Sequence, residues 1–112
     1  MLTFSLDSQK GVLQFSNLLP NVPSNSMLYS DLKRFLKSRS DRKLPGHRRV
    51  DPGRAEVNWT NRRGNVSIGL TVRNNQYAYA LNRLVNLVHE IFVLLNDSYA
   101  DYMTENFDSP QE

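Results

Sequence analysis

The chain has 112 residues, 39% of them hydrophobic and 22% charged, and it contains no cysteine. These values are typical of one soluble globular domain, and the lack of cysteine excludes disulfides, thiolate nucleophiles and thiolate metal sites. The chain begins without the basic region and long apolar run of a secretory signal, and its longest apolar run, residues 91–95, is too short to cross a bilayer. We therefore predict a cytoplasmic protein that does not contact a membrane.

Charge is distributed unevenly along the sequence, although the formal net charge is only +3. Residues 33–63 hold eleven Lys and Arg against three acidic residues, a local net charge of +8. Residues 84–112 hold six acidic residues and no Lys or Arg, a local net charge of −6. This asymmetry is more informative about partners than the total charge.

Two hairpins are predicted from segments in which apolar and polar residues alternate. The first joins residues 2–6 to residues 12–16, and the second joins residues 55–61 to residues 66–72. Each hairpin has one apolar face, so each needs a covering layer. The opposite face of the sheet carries small, mostly uncharged side chains, as a solvated sheet face does.

One helix is predicted after each hairpin. The first begins at a cap among residues 24–26, after a loop over residues 17–25, and ends near Ser38. The second, over residues 76–103, has no proline or glycine and repeats apolar residues at spacings of three and four. Residues 39–54 hold two Pro-Gly pairs and are predicted to be a long irregular loop.

The order of the elements predicts an α+β fold, ββαββα, with two helices on one face of a four-stranded antiparallel sheet. A single domain covers residues 1–103, and the acidic residues 104–112 are predicted to be a frayed tail.

The long helix is predicted to carry an interface. Twenty-eight residues span about 42 Å, whereas a compact domain of this length is about 34 Å across. The helix therefore bends, ends near residues 96–98, or projects beyond its own domain. Its wide apolar arc predicts a face for a second subunit, with Val93 and Leu94 packing under the first helix as the alternative. The predicted interface residues are Val85, Val88, Phe92, Val93, Leu94 and Tyr99.

The basic segment is predicted to bind a polyanion, because closely spaced Lys and Arg side chains neutralise phosphates and release counterions. The alternative is a solvated basic face that balances the acidic end of the chain within the fold or between subunits. The predicted binding residues are Lys33, Arg34, Lys37, Arg39, Arg42, Lys43, His47, Arg48, Arg49, Arg54, Arg62 and Arg63.

No catalytic or metal motif is visible. His89 and Glu90 point about 100° apart around a helix, which excludes a shared metal ion. An anion pocket at His47, Arg48 and Arg49 is the one enzymatic hypothesis that the residues suggest. The sequence favours a protein that is not an enzyme and predicts no metal or cofactor.

The leading functional prediction is a binding module that docks a polyanion, with nucleic acid as the first candidate, through residues 33–63. The alternative is a protein–protein interaction or assembly factor that dimerises through the long helix. In that alternative, the basic loop and the acidic end of the chain make contacts between the subunits.

Overall fold

The computed structural model describes residues 3–46 and 48–107. Its elements are β1 (Thr3–Asp7), β2 (Val12–Leu19), α1 (Met27–Lys37), β3 (Ala55–Arg62), β4 (Asn65–Val72), α2 (Tyr77–Ser98) and α3 (Ala100–Phe107). This arrangement confirms the predicted α+β class and the order of hairpins and helices. The short helix α3 is an addition to that prediction.

The four strands form one antiparallel sheet in the order β1-β2-β4-β3. The two hairpins therefore meet through β2 and β4, which become the central strands. β2 extends to Leu19, into residues that the sequence predicts to be a loop. Its pairing with β4 shifts between Phe15 and Leu19, and Asn17 there has a positive φ of 56°. A bulge of this kind bends the strand and continues the pairing beyond the irregularity.

Both helices cover the same face of the sheet. α1 begins at Ser26, whose side chain accepts a hydrogen bond from the Tyr29 amide at 3.2 Å and so satisfies a free N–H group of the first turn. The buried residues of α2 recur at helical spacing, and they pack with buried residues of β2, β4 and α1 into one core. The buried residues of α2 are Ala80, Leu84, Leu87, Ile91 and Leu95.

The long C-terminal helix is interrupted at Tyr99, whose backbone (φ −138°, ψ 50°) is not helical. α2 therefore ends at Ser98, in agreement with the expectation that the helix ends near residues 96–98, and α3 follows in a new direction. The Tyr102 hydroxyl of α3 donates to the carbonyl of Pro20. Residues 104–107 of the predicted tail belong to α3, and residues 108–112 lie outside the described part of the chain.

Within the described residues, α2 is the one helix long and apolar enough to cross a membrane by length and composition alone. One face of this helix forms the centre of the core instead. The compact fold is compatible with a soluble protein, and a cytoplasmic location stays a prediction.

Candidate polyanion-binding surface

The loop between α1 and β3 is held against α2 by two side chains of that helix. The Tyr79 hydroxyl accepts from the Asp51 amide at 2.9 Å and donates to the Arg49 carbonyl at 3.2 Å. Arg83 donates to the carbonyls of Arg49 and Gly46, both at 3.0 Å. These four bonds satisfy loop backbone groups that no strand or helix pairs, so the loop has a defined path over the surface of α2.

Arg39 is the one charged residue among the buried side chains of the described chain, with only 7% of its surface exposed. Its guanidinium lies 4.0 Å from the centroid of the Phe35 ring and donates to Glu90 at 3.1 Å and to the Ser38 hydroxyl at 2.9 Å. Burial of this charge is tolerated because the carboxylate, the hydroxyl and the ring replace its water. Although Arg39 belongs to the predicted binding set, its side chain is packed inside the fold.

Glu90 binds two arginines at once. One carboxylate oxygen accepts from Arg39, and the other accepts from Nε of Arg48. The Arg48 side chain is 45% exposed, whereas that of Glu90 is 19% exposed. The pair therefore ties the loop to α2 and leaves one edge of the Arg48 guanidinium open to solvent.

Arg49 forms the wall of an open depression in the loop. Its Nε donates to Asp51 at 2.7 Å, and its terminal nitrogen donates to the carbonyl of Arg42 at 3.3 Å. The depression has a volume of about 330 Å³ and is lined by Ser40, Arg42, Arg49, Asp51 and Pro52. Two guanidinium groups on a hydroxyl-bearing wall suit a phosphate or carboxylate oxygen, although Asp51 already accepts from one of them.

Three exposed cations without an ion pair lie at the end of α1 and the start of the loop. Lys37, Arg42 and Lys43 are exposed and form no ion pair with any residue that the structure describes. Two other α1 cations are partly engaged, since Lys33 lies 4.8 Å from the Tyr29 ring centroid and Arg34 pairs with Asp31 at 3.1 Å.

This basic surface comprises the end of α1, the loop and the α2 side chains that contact the loop. It holds nine Lys and Arg, including Arg54 and Arg83, with the buried Arg39 beneath them as a tenth, and four carboxylates. The carboxylates are Asp31, Asp41, Asp51 and Glu90. An excess of six positive charges therefore remains after the internal ion pairs are counted.

Arg54 borders this surface in a fixed position. Its guanidinium lies 3.7 Å from the centroid of the Tyr79 ring, which Arg83 also approaches to 4.6 Å. It also donates to the Gln76 side chain at 3.0 Å. Stacking on a ring leaves a guanidinium edge free for a further acceptor, so Arg54 can extend the basic surface toward the start of β3.

Two members of the predicted binding set do not join this surface. Arg62 ends β3 and Arg63 lies in the turn that follows, whereas the loop enters β3 at Ala55. An eight-residue strand separates these ends by about 25 Å. His47 lies outside the described residues, so the structure does not test the predicted pocket at His47, Arg48 and Arg49.

The residues that order the loop were missed at the level of sequence. Tyr79 and Arg83 belong to the helix predicted from its apolar spacing, and Arg83 lies beyond the basic segment. The sequence suggests for Glu90 only a metal site with His89, which helix geometry opposes. The place of Glu90 on the polar side of α2, facing a basic loop, was the one available signal for an ion pair.

The predicted interface residues fall on two different sides of α2. Leu94 and Tyr99 face α1, where Tyr99 donates a hydrogen bond to Asp31 and Leu94 shares two surface depressions with Phe35. Val93 is 46% exposed at the rim of one of them. Val85, Val88 and Phe92 lie on the opposite side of the helix. The six residues are therefore distributed over more than one side of α2, and an interface through them stays a prediction.

Within residues 3–46 and 48–107, no group of three or more His, Asp or Glu side chains is placed to hold a metal ion. His89 is exposed, while Glu90 turns toward the loop, so the two neighbours point apart. Comparison with family models, with curated proteins and with solved structures found no match for the chain.

Proposed function

We propose that the protein is a non-enzymatic module that docks a polyanion, with nucleic acid as the first candidate, on the basic surface. The observation that supports this proposal is the excess of six positive charges on one ordered surface, of which Lys37, Arg42 and Lys43 are exposed and unpaired among the described residues. When these cations neutralise the phosphates of a nucleic acid, the counterions condensed on the nucleic acid are released, and this release favours binding.

The ordered loop favours binding because little conformational freedom is lost when the ligand docks. Tyr79 and Arg83 hold the loop backbone in the free protein, so only the outer side chains become ordered on contact. Lys and Arg contacts to phosphates position a nucleic acid but do not distinguish its bases. We therefore expect affinity without strong sequence preference.

The test is a titration of fluorescently labelled single-stranded and double-stranded oligonucleotides at a series of salt concentrations. Three new phosphate contacts on a duplex predict that the logarithm of the association constant falls with the logarithm of salt concentration with a slope of about −2.7. Competition with heparin shows whether the surface prefers nucleic acid over another polyanion. Absence of binding at low salt would overturn the proposal.

The double variant Arg42→Glu with Lys43→Glu should weaken binding by at least about tenfold and make the salt dependence shallower. The matched control is Arg62→Glu with Arg63→Glu, which makes the same change in net charge at the far end of β3. The control should keep most of the affinity. Equal losses in the two variants would show that net charge, and not this surface, determines binding.

A further inference from the structure

β1 is an edge strand with an uncovered apolar side. Within the described chain it pairs with β2 alone, and all five of its residues are exposed. Phe4 and Leu6 lie on the helix-covered face of the sheet, where the Phe4 ring is 5.0 Å from the core-packed Phe15 ring. They nevertheless keep 44% and 54% of their surface exposed. The helices thus stop short of β1, and the strand presents both apolar side chains and free backbone groups.

The side of α2 nearest to β1 is apolar and exposed as well. Leu81 is 45% exposed and Val85 is 52% exposed. Two residues advance about 200° around a helix, so these side chains point away from Tyr79 and Arg83, which contact the loop. On the same side, the Tyr77 hydroxyl lies 3.9 Å from where a Cβ on Gly11, in the β1–β2 turn, would stand. The apolar side chains of β1 and α2 therefore border one surface.

We propose that the protein forms a symmetric homodimer through this β1–α2 surface, which we define as β1 with Leu81, Val85 and Val88 of α2. The proposal is independent of polyanion docking, because it uses the opposite side of α2. The charge of the β1–α2 surface, its strand pairing and its area each favour a second copy of this chain as the partner.

The charge layout suits self-association. α2 carries only three charged residues, Arg83, Glu90 and Asp97. The first two contact the loop, and Asp97 follows Glu90 by seven residues, which places it on the same face. The side of α2 toward β1 has no charged residue, so two copies can meet there without repulsion between like charges.

The strand pattern is self-complementary. If two β1 strands pair antiparallel about Ser5, Phe4 of one copy stands opposite Leu6 of its partner on the helix-covered face. Asp7 then stands opposite Thr3, so no acidic pair is created. The two sheets become one eight-stranded sheet, and the exposed backbone groups of both edges are paired.

The available area approaches that of a stable dimer. α2 has 22 residues and is therefore about 33 Å long. β1 has five residues and is about 17 Å long, so a helix layer and a strand layer of about 10 Å each give a face of roughly 500 Å² in projection. A typical stable interface buries about 800 Å² per partner, a value within reach once side-chain relief is included.

Light scattering on the purified chain should give about twice the chain mass of 12.9 kDa. Val85→Glu should dissociate the dimer to single chains, because it places two buried carboxylates near the symmetry axis. Val93→Glu is the matched control, since Val93 has the same side chain, a similar exposure of 46% and a place beside the depression that Phe35 and Leu94 line on the α1 side of the helix. It should remain dimeric. A wild-type monomer at the highest soluble concentration, or dissociation of both variants, would overturn the proposal.

Crosslinking tests the strand pairing separately. Because the chain has no cysteine, Ser5→Cys introduces a single thiol at the proposed axis. Opposed residues of antiparallel strands have Cα atoms about 4.5–5.5 Å apart, which is within the range of a disulfide. In a glutathione redox buffer we expect a covalent dimer with Ser5→Cys and none with the exposed Ser24→Cys. Equal or absent crosslinking in both variants would contradict pairing through β1.

Discussion

At the scale of single residues, Glu90 connects the fold to the proposed binding surface. Its two oxygens neutralise the buried Arg39 and the half-exposed Arg48, which belong to the α1 end and the loop respectively. A carboxylate in this position holds the loop against α2 and lowers the positive charge available to a ligand. Glu90 therefore stabilises the loop and at the same time weakens the binding of a polyanion.

Glu90→Gln should separate these two effects, because glutamine keeps the shape and one acceptor oxygen but removes the charge. We expect the free energy of unfolding to fall by roughly 2–3 kcal/mol, since Arg39 stays buried without its counter-charge. The affinity for a polyanion should rise, because Arg48 is released and the surface gains one positive charge. Urea denaturation and the oligonucleotide titration measure the two effects on the same sample.

Glu56→Gln is the control for this prediction. Glu56 also pairs with an arginine, Arg73, at 2.9 Å, but both side chains are about half exposed or more. An exposed pair of this kind contributes at most about 1 kcal/mol. If Glu90→Gln costs no more stability than Glu56→Gln, the carboxylate does not compensate a buried charge.

At the scale of elements, the contact between β2 and β4 joins the two hairpins into one sheet. Gly69 of β4 stands opposite Gln14 of β2 and Asn58 of β3. A Cβ at this position would lie 3.0 Å from Cα of Gln14 and would collide with the carbonyl oxygen of Leu13. The absence of a side chain therefore permits the close approach of the two central strands.

Gly69→Ala should lower the free energy of unfolding by at least about 2 kcal/mol, because the β2 backbone at Leu13 and Gln14 must shift to admit the new methyl group. Gly53→Ala is the control, since nothing lies within 4 Å of the Cβ it would add. That variant should change stability by less than about 1 kcal/mol. Chemical denaturation measures the free energy of unfolding of both variants. If Gly69→Ala is as stable as Gly53→Ala, the two central strands can move apart without loss of stability.

At the scale of the whole molecule, α3 closes the fold across the end of the sheet. Tyr102 donates to the carbonyl of Pro20, Asn21 donates to Asn106 at 2.6 Å, and Phe107 meets the Phe92 ring at 5.4 Å between centroids. The last helix is thereby attached to the segment before α1. α2 separates the basic surface from the β1–α2 surface, so a dimer would expose a basic surface on each outer side.

Alkaline pH should destabilise the fold through Tyr99 and Tyr102, at the junction of α2 and α3. Burial raises the pKa of Tyr102 to about 12 from its usual 10. The hydrogen bond to the Asp31 carboxylate, followed by burial, raises the pKa of Tyr99 as well. A raised pKa in the folded state means that folding favours the neutral phenol. This contribution is complete below pH 10 and is lost as the pH rises from about 10 to about 12.

Urea denaturation at increasing pH should therefore show a free energy of unfolding that declines above pH 10. Tyr102→Phe should start lower by about 1 kcal/mol for the lost hydrogen bond and should decline less steeply, with Tyr99 still contributing. If Tyr102→Phe loses stability above pH 10 as steeply as the wild-type chain, groups other than Tyr102 cause the decline.

The order of the hairpins and helices follows from the sequence alone. Alternation in both hairpins and the three-and-four spacing of apolar residues in the helices are local consequences of strand and helix geometry, so they could be read without a structure. The excess of Lys and Arg between residues 33 and 63 was equally plain, because composition needs no coordinates. The same apolar spacing did not show that Leu81 and Val85 stay exposed.

Which charges remain available and which apolar residues stay uncovered depends on how the elements pack. Ion pairs such as that of Arg39 with Glu90 join residues 51 positions apart, and no local pattern specifies such a pairing. The strand order placed β1 at an edge beyond the reach of the helices, which exposed Leu6, and the packing of α1 against α2 placed Val93, but not Val85, in a depression that Phe35 lines. Spacing along the chain predicts which face of an element is apolar, whereas the neighbours of that face depend on how all the elements pack.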